Sequence, residues 1–191
     1  MNSIRAEQQN NTAAIAAIKT VSTVIGASLF IALLAQISLR LPFTPVPVTL
    51  QTLGVYLVAA ALGPRKGFLA VLTYLAEGFS GLPVFAQGTL PGLAALAGPT
   101  GGYLLGFLPA VALSGYLLEK LPGTKLYASA AFACGAIALY SCGVLRLAGI
   151  LPSGLLLAAG VAPFLAGELF KIALAATLKD YARKLAGKLS L

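Results

Sequence analysis

Six long apolar segments run through this chain of 191 residues, and they constrain its fold more than any other feature. They cover residues 21–39, 48–62, 67–82, 101–118, 126–148 and 163–184. Crossing the hydrocarbon core of a bilayer takes roughly 20 apolar residues in a helix. Composition agrees, because 59% of the residues are hydrophobic and only 9% are charged, whereas soluble domains carry about 25% charged residues. We therefore expect a membrane protein with several crossings.

Helices, and not the strands of a barrel, are expected to make these crossings. Unpaired backbone amides cannot face lipid, and the segments show no period-two alternation in ten-residue units. The predicted fold is all-α, with six transmembrane helices in one compact bundle over residues 19–191, preceded by a cytoplasmic segment over 1–18. That first segment lacks the basic and then apolar order of a cleaved signal peptide.

The positive charges divide unevenly between the two sides of the predicted bundle. Ten of them fall on one side, and only Arg40 and Arg146 fall on the other, with Lys171 left inside a span. The larger set is Arg5, Lys19, Arg65, Lys66, Lys120, Lys125, Lys179, Arg183, Lys184 and Lys188. The positive-inside rule then predicts that both termini face the cytoplasm, in the plasma membrane. The tail over residues 179–188 also suits anionic lipid.

The distribution of the cations between the two sides of the bundle explains the net charge of +8. Nucleic acid is not expected as a partner, because the cations are not interleaved with aromatic residues.

The chain has no histidine and two cysteines, Cys134 and Cys142, inside an apolar run. Such a set builds neither a zinc site nor a redox motif, so no metal and no cofactor are expected. Gly98-Pro-Thr-Gly-Gly102 lacks the lysine of a phosphate loop. An enzyme is not expected.

Three joints on the predicted external side are rich in glycine and proline. They are residues 41–51, 81–88 and 98–103. Proline fixes the backbone and glycine allows close approach, so a rigid re-entrant loop is expected between helices 3 and 4, over residues 83–100. The alternative is that these joints are ordinary loops at the membrane surface.

Charged residues inside a predicted span are the strongest indication of a functional site. Placing an ionisable side chain at bilayer depth costs on the order of 3 kcal/mol, so such residues normally have a function. Glu168 and Lys171 share a face of the last helix, in its outer half,. They suit the polar floor of a pocket in which Lys171 meets a solute carboxylate and Glu168 accepts N–H bonds. A purely structural ion pair is the alternative. Glu77 is a second candidate, unless it faces water.

Neutral polar and aromatic residues on the same side complete the set of candidates for solute binding. Gln51, Gln87 and Tyr103 offer hydrogen bonds, while Phe43 and Phe85 offer apolar walls. The complete candidate set therefore combines charged, polar and aromatic groups, as small-molecule sites do.

Five motifs in order resemble the BioY family of biotin transport proteins. They are Thr44-Pro-Val-Pro-Val-Thr-Leu-Gln51, Leu62-Gly-Pro-Arg-Lys-Gly67, Gly81-Leu-Pro-Val-Phe85, Gly98-Pro-Thr-Gly-Gly-Tyr-Leu-Leu-Gly106 and Pro163-Phe-x-x-Gly-Glu-x-x-Lys171. The resemblance implies a six-helix substrate-capture subunit of energy-coupling-factor (ECF) transporters, with biotin bound near the external surface. It places Glu168 and Lys171 at the family's acidic residue and lysine, although the family more often carries Asp at the first position.

The resemblance also implies partners, namely a transmembrane coupling subunit and two ATPase subunits, with some family members working alone. Biotin suits the candidate residues, because its ureido ring has N–H donors and a carbonyl, its sulfur ring and alkyl tail are apolar, and its carboxylate suits a cation. Another small vitamin-like solute remains an alternative, and an intramembrane enzyme is a weaker one.

Overall fold

The structure, a computed structural model, describes residues 2–189 and the side-chain surroundings of residues 14–188. Most of the described chain is helical. The elements are α1 (Asn2–Gln36), β1 (Ser38–Leu39), β2 (Val48–Thr49), α2 (Gln51–Phe79), α3 (Ala94–Ala97), α4 (Gly101–Lys120), α5 (Lys125–Leu147), a 3-10 turn (Ser153–Leu155), α6 (Leu156–Gly160) and α7 (Ala162–Leu189).

Five helical stretches among the described residues are long and apolar enough to cross a membrane. They are Ala14–Gln36, Gln51–Phe79, Gly101–Lys120, Lys125–Leu147 and Ser153–Lys188. This confirms the predicted all-α membrane fold. The cytoplasmic position of residues 1–18 stays a prediction, and residues 2–18 form the start of α1.

Helix α2 contains a sharp break at Gly63, where φ is 71° and ψ is −174°. Glycine suits this left-handed conformation because it has no Cβ, and Pro64 starts the next helical arm with a fixed φ. The two arms, 51–62 and 64–79, fold back on each other, since the Gln51 amide donates a hydrogen bond to the Tyr74 hydroxyl. The predicted second and third helices are therefore these arms. The count of six crossings stays a prediction.

The ends of some elements differ from the prediction. Helix α1 ends at Gln36 and not at residue 39, and Val48 and Thr49 form a strand where the start of a helix was expected. This strand pairs with β1 in antiparallel register, Leu39 with Val48. The physical reason is local, because Pro45 and Pro47 disfavour helical conformation in the residues before them.

Three of the segments that connect the long helices meet at one end of the bundle, which we call the loop end (residues 37–50, 80–100 and 148–161). The Thr44 hydroxyl donates to the Ala159 carbonyl at 2.7 Å, and Arg40 donates to the Gln87 carbonyl at 3.4 Å. Residues 80–100 contain only one short helix, α3. Their re-entrant character stays a prediction.

Glycines bring the helices into close contact. A Cβ on Gly106 of α4 would lie 2.9 Å from the Leu139 carbonyl oxygen of α5, and one on Gly115 would lie 2.7 Å from the Pro64 nitrogen. Small residues at helix contacts are how membrane bundles pack backbones closely. Gly115 therefore holds α4 against the break in α2.

We expect Gly115→Ala to destabilise the bundle by about 1–3 kcal/mol, because the added methyl group meets backbone atoms that cannot rotate away. The measurement is thermal unfolding of the purified protein in detergent, followed by circular dichroism. Gly26→Ala is the matched control, because nothing lies within 4 Å of a Cβ at Gly26. Equal melting temperatures for wild type and Gly115→Ala would contradict this account of the packing.

Candidate functional site

A buried ion pair lies on α7. The Lys171 ammonium is 2.7 Å from Glu168 Oε2, in the expected i, i+3 relation. Glu168 is 3% exposed and Lys171 is 6% exposed. Removing two charges from water is costly unless they are paired and hydrogen-bonded further, so the surroundings of this pair decide what it contributes.

Hydroxyl groups from two other helices surround the carboxylate. Tyr56 and Thr52 of α2 donate to Glu168 at 2.6 and 3.1 Å, and Tyr140 of α5 donates at 3.2 Å. Thr52 and Tyr56 are four residues apart, so they share a face of the first turns of α2. The ammonium also donates to the Thr49 carbonyl of β2 at 3.2 Å. One ion pair thus connects β2, α2, α5 and α7.

Counting donors and acceptors shows what the pair can still bind. An ammonium has three N–H donors, and two of those on Lys171 point to Glu168 and Thr49. A carboxylate oxygen has two favourable acceptor directions, and among the described residues Glu168 Oε1 accepts only from the Tyr56 hydroxyl. The site therefore retains one N–H donor and one acceptor direction.

Glu168 and Lys171 both line a narrow cavity of about 50 Å³ at the loop end. Its floor is polar and its walls are largely apolar and aromatic, which is the usual composition of a small-molecule site. The lining residues are Val46, Pro47, Thr49, Gln51, Thr52, Thr89, Thr100, Tyr103, Leu104, Phe107, Leu139, Tyr140, Phe164, Glu168 and Lys171.

A larger space of about 660 Å³ lies beside it, between α5 and α7. Its lining is nearly all apolar, with residues such as Ile137, Leu165 and Leu169, and it shares Tyr140 and Glu168 with the polar cavity. Ile137 and Leu169 are each 67% exposed, so this space is a groove open at the side of the bundle. We take the narrower cavity as the candidate site, because its polar groups converge and those of the groove do not.

Four of the predicted residues line this cavity, namely Glu168, Lys171, Gln51 and Tyr103. The Tyr103 hydroxyl donates to the Gly160 carbonyl at 2.7 Å, which fixes its ring against the chain leading into α7. Gln51 is held by Tyr74 and by the Thr49 hydroxyl, which donates to Gln51 Oε1 at 3.1 Å. Whether these residues bind a solute stays a prediction.

The other four predicted residues lie outside the cavity lining, which differs from the expected single cluster. Glu77 faces α1, where its Oε1 accepts from Ser28 at 2.9 Å. Phe85 packs beneath the loop, with its ring 5.5 Å from that of Tyr74. Gln87 and Phe43 are exposed, because their loop segments turn these side chains away from the bundle.

Three residues that the sequence analysis did not single out complete the site: Thr52, Tyr56 and Tyr140. Thr52 and Tyr56 had a detectable signal, since they follow Gln51 at the start of a helix and Tyr56 is four residues from Thr52. Tyr140 had none, because a tyrosine within an apolar span serves equally well in packing.

The fold and the site together define a class, a multi-pass helical membrane protein with a buried charged pair at the floor of a cavity. Ionisable groups at such positions commonly mark solute pathways in transport proteins. The model of the BioY family matches residues 7–188. The chain therefore belongs to the BioY family, as its motifs indicate, and this is a family of transporters and not of enzymes.

Similar proteins agree with this assignment. The chain is 36% identical to a biotin transporter BioY of Rhizobium etli, over 83% of this chain and 89% of that protein. It is 38% identical to a biotin transporter BioY of Thermotoga maritima, over 77% of this chain and 86% of that protein. A crystal structure of the S-component for biotin from an ECF-type ABC transporter matches with a TM-score of 0.79 and 28% identity, covering 87% of this chain and 92% of that chain.

We expect Lys171→Met or Glu168→Gln alone to cost about 3–5 kcal/mol of stability, because each leaves a buried charge without its partner. The double variant should cost much less than the sum of the two. The measurement is a double-mutant cycle by chemical unfolding in detergent.

The control is the same cycle on Lys179 and Asp180, which form an ion pair at 2.8 Å with the Asp180 side chain 67% exposed. Lys179 is buried but Asp180 is screened by solvent, so that pair should show a smaller coupling energy than Glu168 and Lys171,. Additive single and double variants at Glu168 and Lys171 would mean that the two groups are not coupled.

Proposed function

We propose that this protein binds biotin and carries it across the membrane, as the substrate-specific component of an ECF-type transporter or as a transporter that works alone. The observation that carries the proposal is the buried Glu168–Lys171 pair at the cavity floor, in which Lys171 Nζ lies 2.7 Å from Glu168 Oε2. The membership of this chain in the BioY family supports biotin as the solute. The pair offers one cationic donor and one anionic acceptor within the same small space.

Biotin has complementary groups for each part of this cavity. Its carboxylate suits the remaining N–H of Lys171, and a ureido N–H suits the open side of Glu168 Oε1. Its sulfur-containing ring and alkyl tail suit aromatic walls such as Phe107 and Phe164,. The hydroxyls that already bond to Glu168 keep the carboxylate in place while it accepts from a solute.

The cavity must widen to take a bicyclic solute. Its volume of about 50 Å³ holds only about four water molecules. We propose that this cavity is the narrow state of the site and that capture and release proceed through a wider one. Helices α2, α5 and α7 contribute to the same ion pair, so a rearrangement of these helices during transport would alter the site directly.

We further propose that both termini face the cytoplasm of a plasma-membrane protein and that the loop end faces outward. The uneven distribution of the cations supports this orientation. The partners in an ECF-type assembly would be a transmembrane coupling subunit and two ATPase subunits, with the lipid bilayer around the bundle. The similarity of this chain to the S-component structure supports the proposal of these partner subunits.

Saturable binding of radiolabelled biotin to the purified protein is the direct test of the solute, and a lack of it would overturn the biotin assignment.

To test Lys171, we would compare the affinities for biotin and for its methyl ester, which has no carboxylate charge. Wild type should prefer biotin by roughly 10- to 100-fold, because a hydrogen bond between charged groups is worth about 1.5–3 kcal/mol.

Lys171→Met should lose most of this preference, whatever its remaining affinity. Lys184→Met, which changes an exposed lysine of α7, should keep it. An unchanged preference in a folded Lys171→Met protein would show that Lys171 does not contact the carboxylate, and would leave the ion pair with a structural role.

A further inference from the structure

The two arginines at the loop end both bind the backbone of the loop over residues 80–100. Arg146 of α5 donates from Nε to the Leu96 carbonyl at 3.1 Å and from Nη2 to the Ala97 carbonyl. Arg40, just after β1, donates to the Gln87 carbonyl at 3.4 Å. The loop end is proposed to face outward, and the positive-inside rule disfavours cations in short external loops. The contacts with the loop backbone give a specific reason for an arginine at each of these positions.

The loop is fixed on both sides of its centre. On the first side, the Gln36 amide donates to the Val84 and Phe85 carbonyls at 3.3 Å, and Phe85 is buried. On the second side, Ala95 is buried and Arg146 binds the end of α3. The arginine contacts are side chain to backbone, so they can break and re-form without unfolding a helix.

Between these fixed points lies a short segment, residues 88–92, which reaches the cavity at Thr89. Its ends are Gly88 and Gly92, with φ of 87° and 59°, and Thr89 between them lines the cavity. Glycine permits backbone rotation that other residues resist. The Arg40 guanidinium occupies the space where a Cβ on residue 88 would lie, so Arg40 packs directly on this end.

We propose that Arg146 and Arg40 are latch residues, which hold segment 88–92 closed over the cavity and set the rate at which solute exchanges at the loop end. Arg146 is the stronger latch, because it makes two donations and its guanidinium is less exposed than that of Arg40. Both are positioning residues and neither lines the cavity. This inference rests on the proposed function, since the exchanging solute is biotin.

The test measures dissociation of radiolabelled biotin from the full-length protein in detergent. Arg146→Ala should release biotin about tenfold faster, which is the effect of losing one or two hydrogen bonds from a charged donor. Arg40→Ala should show a smaller increase. Arg65→Ala, which removes an exposed arginine next to the break in α2, is the matched control and should match wild type.

Association should also become faster in Arg146→Ala, so the equilibrium affinity should change less than the dissociation rate does. General damage to the site would instead weaken affinity without faster association. Arg146→Lys, which retains a cation but not the guanidinium, should lie between wild type and Arg146→Ala. If Arg146→Ala does not give folded protein, Arg146→Lys and Arg40→Ala replace it in the same measurement, and rates within twofold of wild type in both would overturn the latch.

Hydrogen exchange of the loop amides gives a readout that needs no solute. The Thr89 amide donates to the Ala86 carbonyl and the Leu96 amide to that of Leu93, and both should exchange faster in Arg146→Ala. If wild type binds no biotin, the proposed function fails and unchanged loop exchange would overturn the latch as well. If wild type binds biotin, dissociation within twofold of wild type in Arg146→Ala overturns the latch alone.

Discussion

The buried pair of Glu168 and Lys171 is the interaction on which the rest of the site depends. Each charge is tolerable inside the bundle only because the other lies 2.7 Å away and because hydroxyls of α2 and α5 complete the hydrogen bonds of the carboxylate. The same requirement fixes the relative positions of these helices. A site that discriminates between solutes thus arises from the conditions that make two buried charges stable.

Close packing of the backbone supports this arrangement. Glycines let α4 approach both α5 and the break in α2, which returns the arm over residues 64–79 alongside the arm over residues 51–62. The returning arm places Tyr74 against Gln51 at the cavity. The loop end contributes residues to the wall of a cavity with a charged floor. Arg40 and Arg146 bind the loop over residues 80–100 through its backbone carbonyls. Rigid helices therefore carry the charged groups, while the adjustable contacts lie in the loop.

The sequence predicted the parts of this structure that follow from local chemistry. Apolar length predicted the spans, and the i, i+3 spacing of Glu168 and Lys171 predicted their pairing. The contact of Glu77 with Ser28 joins residues 49 apart in sequence, and no periodicity indicates such a partner. The strand at Val48 and the role of Tyr140 likewise depend on tertiary neighbours, which override local preference. Glycine and proline content marked the loops correctly as special but could not indicate that Gln87 and Phe43 face away from the cavity.

The most direct test of the central claim is an experimental structure of the protein with biotin bound. The account predicts that biotin lies in a widened form of the cavity between α2, α5 and α7, with an oxygen of its carboxylate within hydrogen-bond distance of Lys171 Nζ. Biotin bound elsewhere, for example in the groove between α5 and α7, with the Glu168–Lys171 pair untouched by the ligand, would contradict it.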